Sequence, residues 1–232
     1  MFGSYRAAHE IDRERSRALV LKVWSGELDA HSVRVRAALR RRSVRYHLEV
    51  DVAGHMSALA GTHAAMYADA RVVLLIRDCF SWLNSAVDMR IRSLNTESSY
   101  FHAKYLRYGN RFANEEAVLQ EAGLIPIGSW LRGWVDANQR VLDEVPPDQL
   151  LVVRTEELDS SVEVLARFAG VPASTLRPVH ANRNPSPTGL LGEVPAQFVI
   201  ERAQEWCAPI MERFWGPNWC DLATRLPQQR IS

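Results

Sequence analysis

Five consecutive aliphatic residues, Val72-Val73-Leu74-Leu75-Ile76, end on Arg77 and pass at once into a helical pattern that contains Ser85, and this passage constrains the chain more than any other. An apolar run of that length, rich in β-branched residues and without polar alternation, predicts a strand buried on both faces, as in a parallel sheet covered by helices. The same passage predicts an anion site. A guanidinium at the carboxyl end of the strand offers a planar fork of donors, the Ser85 hydroxyl lies one turn into a helix predicted from residue 81, and the helix N-terminus adds partial positive charge. In sheets of this kind ligands gather beyond the carboxyl ends of the strands.

The rest of the chain alternates in the same manner. Helical patterns are predicted over 12–24 and 30–42, a strand over 44–52, a loop at Gly54-His55, a short helix over 57–67 and the helix behind the first strand over 81–93. Residues 95–124 are polar and aromatic, compatible with helix, lid or the wall of a binding site. Trp130, Trp134 and Val141 recur at helical spacing until Pro146-Pro147 stops the pattern. A second strand over 149–154 runs through Thr155-Glu156-Glu157-Leu158 into a helix with Ser160 and Glu163 at capping-box spacing, ended by Gly170 and Pro172. A Pro- and Asn-rich loop over 180–187 precedes a last amphipathic helix marked by Val199, Ala203, Trp206, Ile210 and Phe214. The expected class is α/β, a parallel sheet flanked by helices, and the expected organisation a single domain over residues 1–232.

Composition narrows the partners. A formal charge of +1 gives no global basic field, so nucleic acid is not expected, although the basic residues are nearly all arginine, with Lys22 and Lys104 the exceptions. Cys79, Cys207 and Cys220 show no paired spacing, which predicts neither a disulfide framework nor a metal site. No apolar run approaches the roughly 20 residues that span a bilayer, and the opening residues lack the apolar core of a signal peptide. A cytoplasmic setting is the expectation.

Two separated blocks carry a family resemblance. The strand ending in Arg77 with Ser85 eight positions later resembles the 3′-phosphate-binding element of sulfotransferases that use 3′-phosphoadenosine 5′-phosphosulfate (PAPS). The second strand with Thr155-Glu156-Glu157-Leu158 and the ending Phe168-Ala169-Gly170-Val171-Pro172 resembles a later block of the same family. The resemblance implies a P-loop-nucleotidase-like fold, PAPS as sulfuryl donor, no metal, and a small-molecule or glycan acceptor with a hydroxyl or amine. It gives Arg77 and Ser85 the 3′-phosphate, and Asn182 and Arg183 a loop that closes over the nucleotide. Glu10 becomes the candidate base and His9 its rival, since many family members place an acidic residue there near the acceptor.

The family pattern begins with a strand and a phosphate-binding loop that this sequence lacks, and residues 1–10 instead resemble the latter half of the helix that follows such a loop. Either a longer chain supplies the missing part or the sulfuryl-handling half of the site has been lost. The first is expected, because that strand is central in the family's sheet and its removal leaves backbone groups unpaired. The alternative function is a non-catalytic sulfotransferase-like domain that binds adenosine 3′,5′-bisphosphate or a protein partner.

Blander readings stand beside these. Arg77 could pair with Asp78 and Ser85 be a small helix residue. His9-Glu10 could belong to a solvated helical connection, and Thr155, Glu156 and Glu157 serve helix initiation. Arg34, Arg36, Arg40, Arg41, Arg42 and Arg45 form a basic cluster, either a solvated face or a receiver of an acidic acceptor. His47, His55 and His63 recur every eight residues on strand, loop and helix, so no ligand geometry is expected of them.

Overall fold

A computed structural model describes residues 7–93, 98–176 and 187–227. In chain order these form β1 (Ala7–His9), α1 (Arg13–Trp24), α2 (Val33–Tyr46), β2 (Val50–Val52), α3 (Ala60–Met66), β3 (Val72–Ile76), α4 (Cys79–Arg92), α5 (Ser98–Leu106), α6 (Ala117–Glu121), α7 (Ile127–Glu144), β4 (Leu150–Arg154), α8 (Val162–Ala169) and α9 (Ala196–Trp215), joined by short 3₁₀ turns. The described residues are mostly helical with two small parallel sheets, compatible with an α/β class. The chain divides into two compact units, residues 1–76 with 137–181 and residues 77–136 with 182–232.

Both sheets belong to the first unit. β1 pairs in parallel with β2, Ala7 opposite Val50 and His9 opposite Val52, and β3 pairs in parallel with β4, Val72 opposite Leu150 and Ile76 opposite Arg154. Val20, Val23, Val35, Leu39, Ala58 and Leu59 form one core. Ala64, Val141 and Val145 form another, on which Val72, Leu74 and Leu150 pack. Gly61 allows α3 to lie close to the end of α7, since a Cβ there would stand 2.4 Å from Glu144 Cβ.

In the second unit, Phe80, Leu83, Val87, Trp130, Leu131, Ile210 and Met211 are buried. Trp130 is the hub of the aromatic packing, 4.6 Å from the Tyr105 ring and 6.2 Å from Trp82 between centroids. Residues 95–124, which sequence patterns left open, hold α5, α6 and a buried acid: Glu116 accepts from Ala113 N at 3.1 Å and from Ile127 N at 2.7 Å, capping the first turn of α7. Burial pushes its carboxyl up, and the two backbone donors pull it back.

Several expectations are corrected. β3 is not buried on both faces: Val73 is 40% and Leu75 48% exposed, because helices α3 and α7 cover only the face that carries Val72 and Leu74. The predicted second helix starts later, where Ser32 accepts from Val35 N, and runs on through Val44 to Tyr46, so the strand is confined to Val50–Val52. His47 ends that helix in the left-handed conformation, with φ 46°. The short helix expected over 57–67 divides into a 3₁₀ turn, Gly54–Leu59, and α3. Residues 7–9 are a strand rather than the end of a helix, held by β2 and by Glu10 N donating to Val52 O at 2.8 Å. The Ser160–Glu163 capping box does not form, because the Ser160 and Ser161 hydroxyls both donate back to Glu157 O. Gly170 ends α8 as expected, at φ 70°.

Candidate functional site

In the second unit the candidate anion site is built on the N-terminus of α4. Asp78 is the N-cap residue: Oδ1 accepts from Ser81 N at 2.8 Å, and Oδ2 accepts from Arg225 Nη1 at 2.7 Å. The residue is completely buried. With both oxygens engaged, Asp78 is closed to its neighbour, and the ion pair with Arg77 does not form. Arg77 is exposed and has no hydrogen bond or ion pair among the described residues. Ser85 is exposed as well. Because α4 begins at Cys79 rather than 81, Ser85 stands about two turns, roughly 10 Å along the axis, past the N-cap instead of one. It adds a hydroxyl farther along the helix, on the exposed side shared with Met89, and not a contribution to the first turn.

The peptide that leads into Arg77 is fixed from the neighbouring strand. Thr155, which follows β4, donates its hydroxyl to Ile76 O at 3.0 Å. Thr155 therefore acts as a latch between strand ends rather than as a helix cap, a role corrected from the sequence reading. Arg154 closes β4 and pairs with Glu157, which holds that carboxyl below its usual range. Asn182 and Arg183 lie outside the described residues. Beyond them, Thr188 is tied to α4, its backbone N donating to Asp88 Oδ1 at 2.9 Å and its hydroxyl donating to the same oxygen.

In the first unit, His9 and Glu10 separate in character. His9 ends β1 with its side chain exposed. Glu10 follows in the left-handed region at φ 51°, an uncommon conformation for a residue with a side chain. Its carboxylate lies in a cluster, with Oε1 3.6 Å from His55 Nδ1 and Oε2 3.7 Å from Arg17 and 3.8 Å from Arg13. His55 is buried and its Nε2 lies 2.7 Å from Ser16 Oγ. Burial lowers the His55 pKa, opposed by the Glu10 charge and reinforced by Arg17 and Arg42. Arg42 leaves the basic cluster to grip Asp51 in a bidentate pair and to donate to Ile11 O at 3.2 Å, which fixes the turn that carries Glu10. Sequence spacing missed His55, because its partners Ser16 and Glu10 lie 39 and 45 positions away. It missed Arg225 for the same reason.

No group of three or more His, Cys, Asp or Glu residues that could hold a metal ion occurs among the described residues. No described helix is long and apolar enough to cross a membrane. Cys79 sits buried beside Cys207, and burial raises its thiol well above the usual range, so it is not a poised nucleophile.

The class these elements define is a helix-rich α/β protein with small parallel sheets and an uncommitted strand-end arginine ahead of a helix. The family model for the sulfotransferase domain matches residues 3–184, and the chain belongs to that family. No curated protein and no solved structure matches it.

Proposed function

We propose that this protein is a PAPS-dependent sulfotransferase of the P-loop-nucleotidase-like fold, which moves a sulfuryl group to a hydroxyl or amine of a small-molecule or glycan acceptor. The observation that carries the reading is Arg77: a guanidinium directly after a parallel strand, exposed and without an acid partner among the described residues, because the adjacent Asp78 is held by Ser81 and Arg225. A free planar fork of donors suits a phosphate dianion, and the exposed Ser85 hydroxyl suits one further oxygen. The family membership supports sulfuryl transfer in general, and its match to residues of both units supports reading 1–232 as one domain.

Bound PAPS supplies the activated sulfuryl group; the residues bind, orient and take a proton. Arg77 and Ser85 hold the 3′-phosphate, with Asn182 and Arg183 assigned to the nucleotide as well. Glu10 takes the acceptor's proton, and His9, exposed at the end of β1, is the weaker candidate because no hydrogen bond or ion pair orients it among the described residues.

The test is calorimetric. Arg77→Ala is expected to weaken binding of adenosine 3′,5′-bisphosphate by about 1.5–3 kcal/mol, the range for a hydrogen bond to a charged group, while the fold is retained. Unchanged affinity in the folded variant, or no binding to the parent chain, rejects the nucleotide site. Turnover of PAPS against a panel of phenols, alcohols, sugars and amines then identifies the acceptor.

A further inference from the structure

Ser16, His55 and Glu10 form a line of hydroxyl, imidazole and carboxylate, the order found in nucleophilic hydrolases. Here the hydroxyl is not a nucleophile. Ser16 is 4% exposed and lies 2.9 Å from Asp12 O and 3.2 Å from Arg13 O, backbone carbonyls of its own helix. The exposed end of the line is the carboxylate. Glu10 is 23% exposed at its side chain against 4% for His55, so chemistry reaches Glu10, and the imidazole and hydroxyl stand behind it.

Resting on the sulfotransferase reading of Glu10, we propose that His55 is its positioning residue: Ser16 holds His55 at Nε2, and Nδ1 faces Glu10 Oε1, so that the acceptor's proton goes to Oε2, the oxygen that Arg17 and Arg13 flank at 3.7 and 3.8 Å. The hydrogen-bond inventory supports this. Ser16 has one proton and three acceptors within reach. When that proton goes to a helix carbonyl, Ser16 can only accept from Nε2–H, and a neutral His55 then turns a bare Nδ1 towards a carboxylate. When it goes to Nε2, the neutral ring carries Nδ1–H, aimed at Glu10. The imidazolium satisfies both ends at once. Every arrangement in which His55 satisfies Glu10 Oε1 therefore requires a proton on Nδ1, an atom that is buried and has no hydrogen-bond partner among the described residues. At 3.6 Å the contact is longer than a hydrogen bond and within ion-pair range.

In the transfer step, the acceptor O–H or N–H bond breaks and a Glu10 O–H bond forms. The acceptor's freed pair makes the bond to sulfur, and the S–O bond to the 5′-phosphate breaks with its electrons retained by the departing bisphosphate. No proton passes through His55. The charged groups that bear on it are Glu10 from the turn after β1, Arg17 from α1 and Arg42 from α2; Arg13 of α1 flanks Glu10, and Asp51 of β2 is paired with Arg42.

The deciding measurement is an imidazole ¹⁵N NMR titration of the full chain, with a second arm in turnover. In the parent protein His55 is expected to carry its proton on Nδ1 at neutral pH. Glu10→Gln, a change at a partly exposed side chain, is expected to lower its titration midpoint by about one pH unit. Ser16→Ala should return the ring to a mixed tautomer. A His55 signal indifferent to Glu10→Gln, or an Nε2–H tautomer with bare Nδ1, overturns the proposal. In turnover, His55→Gln should lower kcat at least tenfold with the KM for PAPS unchanged and alter the acid limb of the pH profile. His55→Asn, whose amide can donate from the Nδ1 position, should recover part of the rate. An unaltered pH profile overturns the positioning role and leaves the Arg77 site standing. Failure of the parent chain to bind the bisphosphate rejects the nucleotide reading instead, whatever His55 reports.

Discussion

Asp78 and Glu10 each stand just ahead of a helix, one in each compact unit, and the structure treats them in opposite ways. Asp78 is sealed, with both oxygens in hydrogen bonds of 2.7–2.8 Å to a backbone N–H and to Arg225. Glu10 keeps a partly exposed carboxylate, with the His55 ring at 3.6 Å and Arg17 and Arg13 at 3.7 and 3.8 Å, held in orientation but not consumed. The difference teaches how an acid's role follows from its partners. A carboxylate with both oxygens engaged builds the fold and forms no ion pair with the adjacent Arg77. A carboxylate with a buried imidazole near one oxygen and two arginines near the other, all beyond hydrogen-bond distance, stays partly exposed.

The largest effect that would break this comparison is on stability. Asp78→Ala removes the α4 cap and the buried end of the Arg225 ion pair, for an expected loss of about 2–4 kcal/mol in denaturant unfolding. Glu10→Gln should cost about 0.5 kcal/mol or less, as its contacts are long and partly solvated. Equal losses would mean that both acids are structural.

Thr155→Val comes next, with about 1 kcal/mol expected from the loss of the hydrogen bond to Ile76 O. It should also weaken binding of adenosine 3′,5′-bisphosphate slightly, because the peptide before Arg77 loses its latch; a stability change with identical affinity would separate the latch from the site. Ser85→Ala should leave stability unchanged and weaken the nucleotide by about 1 kcal/mol, less than Arg77→Ala, since a neutral donor is lost rather than a charged one. A larger effect at Ser85 than at Arg77 would reverse their assigned roles.

The smallest expected effect is the pH dependence. His55 and His63 both have folded-state pKa values lowered by burial, so the native state binds fewer protons than the unfolded chain as the pH falls below the ordinary histidine value of about 6.5. Stability from these groups is complete above that value and is lost as pH falls through the folded pKa values. Melting temperatures recorded from pH 7.5 to 5 should decline, and the decline should flatten in His63→Gln. A flat profile in the parent protein would mean that neither ring is held neutral.

Much of the local structure was legible in the sequence. The strand at 72–76, the helix stopped by Pro146-Pro147 and the left-handed ending at Gly170 all follow from short-range chemistry, apolar runs, a missing N–H and a missing Cβ. Arg77 and Ser85 stood out for the same reason, as a pattern eight residues long. The errors fall where neighbours decide. Val73 and Leu75 look as buried as Leu74 in sequence, yet lie on the face that α3 and α7 do not cover. The opening residues 7–9 are a strand only because Val50–Val52 pairs with them.

The amino-acid sequence by itself determined the family, the order of most elements and an arginine at the end of an apolar strand, since each is written in contiguous residues whose propensities need no distant partner. Tertiary structure alone decided that Arg225 would occupy Asp78 and leave Arg77 without an acid partner among the described residues, that Thr155 would fasten Ile76, and that His55 would stand between Ser16 and Glu10. The physical reason is range. Hydrogen bonds and ion pairs act over about 3–4 Å, and residues 39 to 147 positions apart come within that distance only when the chain has folded.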